Sequence, residues 1–258
     1  MATLERLRVY PVKGLDGIDL EAATVLDGGT IEHDREYALF DENNEVFNAK
    51  RSDRFHRLQI AYDTDTGTLT VRPPDGDTRQ FNLREDRETA SEWFSGYFGT
   101  DLSLRRDDAI GFVDRRQMGP SVISTATLQT VASWFDDLTV ESVRRRLRAN
   151  IEISGVEPFW EDRFVGERAP SFEIDGVTVE GVTPCARCAV PERDPDTGEP
   201  LPEFRQRFIE KREETFPEHA DREAFDHFYT LMLISRVSEA DRGSTLRVGD
   251  PVALTDEQ

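Results

Sequence analysis

The sequence predicts a mixed, β-dominated α+β fold. Short runs rich in Val, Ile, Thr, Tyr and Phe fill the first hundred residues, broken by clusters of Gly, Pro, Asn and Asp. Several of these runs are close enough to pair as hairpins. Apolar residues at helical spacing occur only in isolated stretches, without the strand–helix alternation of a parallel sheet.

Taken in order, Leu4–Tyr10 reads as a first strand stopped by Pro11, and a second runs around Ile18–Leu26. Arg35–Phe40 and Glu45–Asn48 flank Asp41-Glu42-Asn43-Asn44 as a hairpin. Leu58–Tyr62 and Thr68–Val71 flank Asp63-Thr64-Asp65-Thr66-Gly67 as another. Thr89 is expected to cap a short helix through Phe98, with Trp93, Phe94 and Tyr97 on its apolar side. Arg105–Pro120 is charged and nearly featureless, as a linker or a loop over a site would be. Ser124 reads as an N-cap, since Leu128, Val131, Ala132 and Phe135 follow at helical spacing. Helical character returns at Glu141–Leu147, Glu203–Glu214 and Arg222–Leu231. Asn150–Ile153 is a strand. Ser171–Asp175 and Val177–Val182 form a hairpin at Asp175-Gly176, and Leu246–Leu254 closes the chain as an interrupted strand. The expected division is a β-rich N-terminal domain over 1–110 and a second domain over 111–258.

Composition excludes several functions. The chain has 258 residues, 52 Asp and Glu against 32 Lys and Arg, and a net charge of −20. A field of that sign repels nucleic acid and anionic membrane. Only Lys13, Lys50 and Lys211 are lysines, leaving 29 arginines. Acidity and lysine scarcity together point to a salt-adapted cytoplasm, in which carboxylates keep the surface hydrated. No run approaches the ~18–20 apolar residues of a membrane span. The opening MATLERLRVYPVKG lacks a signal peptide's apolar stretch, so a cytoplasmic location is expected.

The only cysteines, Cys185 and Cys188, form one C-x-x-C directly behind the second strand of the 171–182 hairpin. A pair so close cannot staple distant parts of a fold. Structural zinc needs four ligands, and His33, His56, His219 and His227 lack the usual spacing. A thioredoxin-like dithiol belongs at a helix N-terminus rather than behind a hairpin. Two readings stay open: buried small hydrophobes without a role, or one thiolate ligand to a metal whose other ligands come from a cofactor. The Arg144-Arg145-Arg146 run reads as a solvated helix face and is assigned no role.

Several spaced motifs carry a resemblance that covers nearly the whole chain in order. The stretch from Asn150 to Asp162 resembles the entry to a MOSC domain. Cys185-Ala186-Arg187-Cys188 followed by Asp194-Pro195-Asp196-Thr197-Gly198 resembles its metal-binding segment, and Leu246–Val252 its closing strand. Tyr10-Pro11-Val12-Lys13 and His33-Asp34-Arg35 resemble the β-barrel-like domain that accompanies it. The likeness extends to the mitochondrial amidoxime-reducing proteins and their bacterial counterparts. The resemblance implies a MOSC-type β-barrel with inserted helices over the second domain. It also implies a molybdenum–molybdopterin cofactor, with Cys188 as metal ligand and catalytic centre and Cys185 beside it without ligating. Lys13, Gly14, Arg35, Arg148, Asn150, Ala186 and Arg187 are the implied cofactor-binding residues. The pterin is anionic through its phosphate and dithiolene, which suits lysine and arginine, and soft thiolate suits molybdenum.

The activity implied is oxidoreduction. Molybdenum cycles between two oxidation states and removes oxygen from a small N-hydroxylated substrate, while an external ferredoxin-, flavin- or cytochrome-type protein supplies electrons. The alternative is a cofactor carrier or sulfur-transfer protein with Cys188 as persulfide nucleophile. A monomer without a membrane anchor or a ferredoxin tail is expected, and the family also carries an association with pyridoxal phosphate. Three departures stand out. The polar cofactor contacts expected just before the 120s are not evident in Arg116-Gln117-Met118-Gly119-Pro120. Gly14 replaces the family's frequent Ser, and Phe228-Tyr229-Thr230-Leu231 replaces its Phe-Gly-x-Tyr pattern.

Overall fold

A computed structural model describes residues 1–255. Its main layer is an eight-stranded sheet in the order β16(Val252–Leu254), β12(Ser171–Ile174), β13(Val177–Ala186), β14(Thr230–Val237), β10(Ser121–Ser124), β11(Ile151–Ser154), β1(Thr3–Val9) and β2(Ile18–Leu20). Three smaller sheets join β15(Thr245–Arg247) to β3(Ala22–Thr24), flank β4(Tyr37–Phe40) with β5(Val46–Phe47) and β9(Ser103–Arg106), and order β6(Gln59–Asp63), β7(Thr68–Arg72) and β8(Arg79–Asn82). The helices are α1(Arg87–Phe98), α2(Thr125–Ser133), α3(Val140–Leu147) and α4(Phe204–Glu214). The architecture is the expected β-dominated α+β mixture.

Both N-terminal hairpins form, β4–β5 and β6–β7, and Asp175-Gly176 joins β12 to β13. Ser124 caps α2 by accepting the Thr127 N–H at 3.0 Å, and Thr139 caps α3 in the same way at 3.1 Å. The segment Asp107–Pro120 is the loop over a cavity that its composition suggests.

Other expectations are corrected. The helix expected at Arg222–Leu231 is a single 3-10 turn, Arg222–Ala224, followed by β14. That strand lies between β13 and β10 and is buried on both faces, so its Leu-Met-Leu-Ile run lacks the alternation that marks a half-exposed strand. Strand β10 is short and buried for the same reason, and the sequence pattern does not reveal it. It pairs in parallel with β11 across α2 and α3, a crossover the absence of strand–helix alternation did not suggest. The strand expected around Ile18–Leu26 breaks at Glu21 into β2 and β3, which belong to different sheets. The closing strand likewise splits into β15 and β16, with Asp250 accepting the Arg247 N–H at the turn. Helix α1 begins at Arg87, two residues before the expected Thr89 cap.

The residues of 1–110 serve two cores. Leu4, Leu7, Val9, Ala23, Val25 and Ile31 pack with the large sheet, whereas Val12, Leu15, Tyr37 and the residues up to Leu104 build their own cluster. The chain therefore first passes from one core to the other at Tyr10–Val12, where the cavity begins, returns to the first over Ala23–Ile31 and re-enters the second at Tyr37. No helix among the described residues is long and apolar enough to cross a membrane.

Behind the sheet, Glu161 is almost fully buried. Its Oε2 accepts from the Ser124 N–H and the Thr127 hydroxyl, while Oε1 has no partner. Burial, then the neighbouring Asp162, pushes its carboxyl up from 4.5 to about 8. A carboxyl raised on folding costs nothing below its unfolded value, costs progressively more as pH climbs from 4.5 to 8, and costs a constant amount above. Glu161→Gln should match wild type in thermal unfolding at pH 4–5 and exceed it at pH 9 by roughly 5–10 °C. Parallel Tm curves across that range would refute the assignment.

Candidate functional site

A cavity of about 550 Å³ lies between the turn at Lys13-Gly14, the Asp34-Arg35 corner, Asn48–Lys50, the strap Val113–Pro120, the end of α3 and the Cys185–Cys188 segment. Its size is that of a small-molecule site. Each wall is set by local backbone geometry.

Val12 bridges in parallel to Tyr37, and the Lys13 N–H donates to the Tyr37 carbonyl at 2.8 Å. Gly14 follows at φ +102°, where a Cβ would sit 3.0 Å from the Phe55 ring and 3.1 Å from the Asn48 Cα. The turn is tight enough to demand glycine, which accounts for the departure from serine. Arg35 (φ +54°) and Arg148 (φ +62°) both occupy the left-handed region, Arg148 as the residue ending α3. Such positions are unusual for side chains of this size. Here they aim both guanidinium groups at the Tyr10 ring, with Cζ 5.1 Å and 4.0 Å from its centroid. The Asp34 carboxylate also pairs with Arg35, and the Leu15 carbonyl accepts from Arg148 at 2.7 Å.

The cysteine pair departs from its expected setting. Strand β13 continues through Ala186, so Cys185 lies within it, and register slips between Gly181 and Thr183 and between Pro184 and Ala186. The two thiols meet different environments: Cys185, opposite the second bulge, is buried, and Cys188, beyond the strand's end, is exposed. Arg187 donates Nη1 to the Cys185 sulfur at 3.2 Å and Nη2 to the Leu147 carbonyl at 2.8 Å, while its buried Nε has no partner.

Lys13, Gly14, Arg35, Arg148, Asn150, Ala186, Arg187 and Cys188 all border this one cavity. Asn150 differs from the rest in what its side chain does. The amide oxygen accepts from the Ser121 N–H and hydroxyl, and the amide nitrogen donates to the Arg8 carbonyl at 3.2 Å. It splices β10 to the end of β1 and forms a rigid floor.

Several contributors escaped sequence reasoning. Lys50 and Arg115 also line the cavity, giving six cationic side chains against Asp34 and Asp114. Lysine scarcity was the available signal for Lys50; nothing local marked Arg115. The Arg144–Arg146 run is not a solvated face. Arg146 is buried and donates to the Pro191 and Arg193 carbonyls, and Arg145 bridges Asp16 to Asp196 at 2.8 Å each. These arginines clamp the loop that follows Cys188. Beside them His56 is held at about 4, by burial first and then by Arg148 and Arg193, so it stays neutral and supplies no further positive charge.

Among the described residues, no group of three or more His, Cys, Asp or Glu could hold a metal ion. Cys188 could therefore ligate only a metal that brings its other donors with it. A cationic pocket with an exposed thiol, a glycine cradle and an unpartnered buried Arg187 N–H fits an anionic metal–dithiolene cofactor on all four counts.

Fold and site together place one exposed thiol beside six cationic side chains on a single cavity. Two family models match the chain, the MOSC N-terminal beta barrel domain over residues 1–139 and the MOSC domain over residues 107–253. The chain belongs to the MOSC domain family, and that membership supports a role related to the molybdenum cofactor. The matches overlap at 107–139, across the expected 110/111 division. No curated protein matches the chain. Among solved structures, the YUAD protein from Bacillus subtilis aligns over 100% of this chain and 97% of its own, at 13% identity and a TM-score of 0.40. A likeness at that level carries no argument.

The strap is fastened by charge. Lys13 Nζ donates to the Phe112 carbonyl at 2.7 Å and to Asp114 at 2.5 Å, and Lys50 reaches the other Asp114 oxygen at 3.3 Å. Burial works against ionisation of Asp114, but the hydrogen bond and charge of Lys13, joined by Lys50, hold its carboxyl at about 2. The fastening thus persists above its ordinary value of 3.8 and is lost only as pH falls through about 2. Asp114→Asn should speed tryptic cleavage after Arg115 or Arg116 roughly fivefold, equivalent to about 1 kcal/mol of easier opening. An unchanged cleavage rate would mean that backbone bonds alone hold the strap.

Proposed function

We propose that this protein is a molybdenum-cofactor-dependent oxidoreductase that reduces small N-hydroxylated compounds with electrons from an external protein donor. The observation that carries the reading is the exposed Cys188 thiol on a cavity with six cationic side chains and two carboxylates, in a chain of net charge −20. When bound, the molybdenum cofactor supplies oxygen-atom removal: an N-hydroxyl compound, two electrons and two protons become the N–H compound and water.

The chain's own residues bind and orient. Cys188 is the thiolate ligand. Lys13, Arg35, Arg148 and Arg187 neutralise the cofactor's anionic groups, and the Gly14 turn lets backbone approach closely. Ala186 ends the strand that fixes the thiol's direction, and Asn150 holds the floor beneath it. Loss of Cys185 leaves this ligand set intact, since its sulfur is turned inward to Arg187. The donor is a ferredoxin-, flavin- or cytochrome-type protein, and the working unit is a monomer in the cytoplasm.

Metal and pterin analysis of the purified protein tests the ligand. Cys188→Ser should lower bound molybdenum at least roughly tenfold, whereas Cys185→Ser should retain it. Equal loss in both variants would defeat the single-ligand assignment. Reduction of benzamidoxime with an artificial donor then tests the reaction. A molybdenum-loaded protein inert toward every N-hydroxylated compound would leave the cofactor-carrier or sulfur-transfer reading in its place.

A further inference from the structure

Besides Met1 the chain has only two methionines, Met118 and Met232, and both line the cavity that Cys188 borders. Met232 stands at φ +72° inside β14. A bulky non-glycine residue takes that conformation within a strand only when its surroundings impose it, and such strain gathers at functional sites. The cause is visible in the pairing of β13 with β14. Pro184 faces Leu233 and Ala186 faces Thr230, so Leu231 and Met232 together oppose Cys185. Ordinary alternation would send these two neighbours to opposite faces. Instead both join one apolar cluster, while Leu233 joins the other.

Leu231 is fully buried and fills core. Met232 is also buried, 4% exposed, in the same cluster, and it is the one of the two that borders the cavity. Met118 reaches the same cluster from the strap, next to Gly119, whose N–H donates to the Ser235 carbonyl at 2.7 Å. With Ile234 they form an apolar patch in a cavity whose charged groups are otherwise mostly cationic. The cations suit the anionic cofactor; the patch suits something uncharged and apolar. Thioether chains are flexible and polarizable, and they pack well against aromatic rings of varied outline.

We propose that Met118 and Met232 are specificity-determining residues that form an adaptable apolar seat for the aryl or bulky alkyl body of the substrate. This rests on the reading that the cavity takes N-hydroxylated compounds. A glycine at 232 would relax the backbone but empty the seat, which explains why strain is retained there.

Three methionines make the test direct. Protein carrying its cofactor and ¹³C-methyl methionine should show three methyl signals, assigned through Met118→Ala and Met232→Ala, with Met1 as the internal control. Titration with benzamidoxime in the absence of any electron donor should shift the Met118 and Met232 signals and leave Met1 in place. Acetamidoxime, which lacks the ring, should shift neither appreciably. Under turnover, Met232→Ala should raise KM for benzamidoxime roughly tenfold while changing that for acetamidoxime by less than about twofold. Met232→Gly fits the backbone at φ +72° and should show the same split if the alanine variant folds poorly. Methyl signals unmoved at millimolar benzamidoxime, or equal KM changes for both compounds, would overturn the seat. Because the titration needs no turnover, a protein that binds benzamidoxime through these methyls but never reduces it would defeat the reductase reading and leave the seat standing.

Discussion

Arg35, Arg148 and Arg187 repel one another across one small cavity, and much of the surrounding structure answers that repulsion. Each has a fixed electron-rich partner behind it. Arg35 meets the Asp34 carboxylate, Arg148 the Leu15 carbonyl and Arg187 the Leu147 carbonyl. The last of these lies at the C-terminal end of α3, where unpaired carbonyls and the helix dipole favour a cation. The Tyr10 ring receives two of the guanidinium groups on its electron-rich π system. Its hydroxyl donates to the Ala149 carbonyl, and its backbone N–H to Asp34. The positive pocket is thus assembled before any ligand arrives. Binding an anion there need not first gather the charges.

The same pocket explains why the two ends of the chain's first hundred residues belong to different cores. Strand β1 pairs with β11 and β2 in the large sheet, yet Val12 and Leu15, on the turn between β1 and β2, pack into the second core. Tyr10 through Gly14 form the crossing. The crossing is stiffened on its outer side by Asp16, which accepts from Arg8 and Arg145 while Arg145 also holds Asp196. One chain of ion pairs therefore ties the N-terminal turn, the end of α3 and the loop beyond Cys188. Arg146 completes the clamp from within by holding two carbonyls of that loop. An arginine run at the end of a helix is ordinarily a solvated face. Here its burial follows from the loop folded over it, which helical periodicity alone does not describe.

The strap over the cavity shows how sparing use of lysine marks a site. Two of the three lysines converge on Asp114, whereas 29 arginines supply nearly all of the chain's other cations. An ammonium is a compact charge with rotatable donors and can serve a carboxylate or another anion in turn; a guanidinium fork is more committed to one geometry.

Local pattern in the sequence determined a good deal about this protein. Turn formers placed the hairpins at Asp41–Asn44 and Asp63–Gly67, Ser124 announced a cap, and charge counted against nucleic acid. The two cysteines were marked as a pair too close to staple the fold. These features depend on neighbours a few residues apart, which is what a sequence displays. Strand β14 was hidden because a strand buried on both faces has no alternation to read. Which thiol faces outward, that Asn150 is spent on backbone, that Arg146 is a clamp and that Met232 looks into the cavity were settled only by tertiary structure. Each depends on contacts between strands, turns and loops distant in sequence. A one-residue slip exchanges the two faces of a strand, so the Cys-x-x-Cys spacing names the pair, while the fold buries Cys185 within β13 and leaves Cys188 exposed beyond its end.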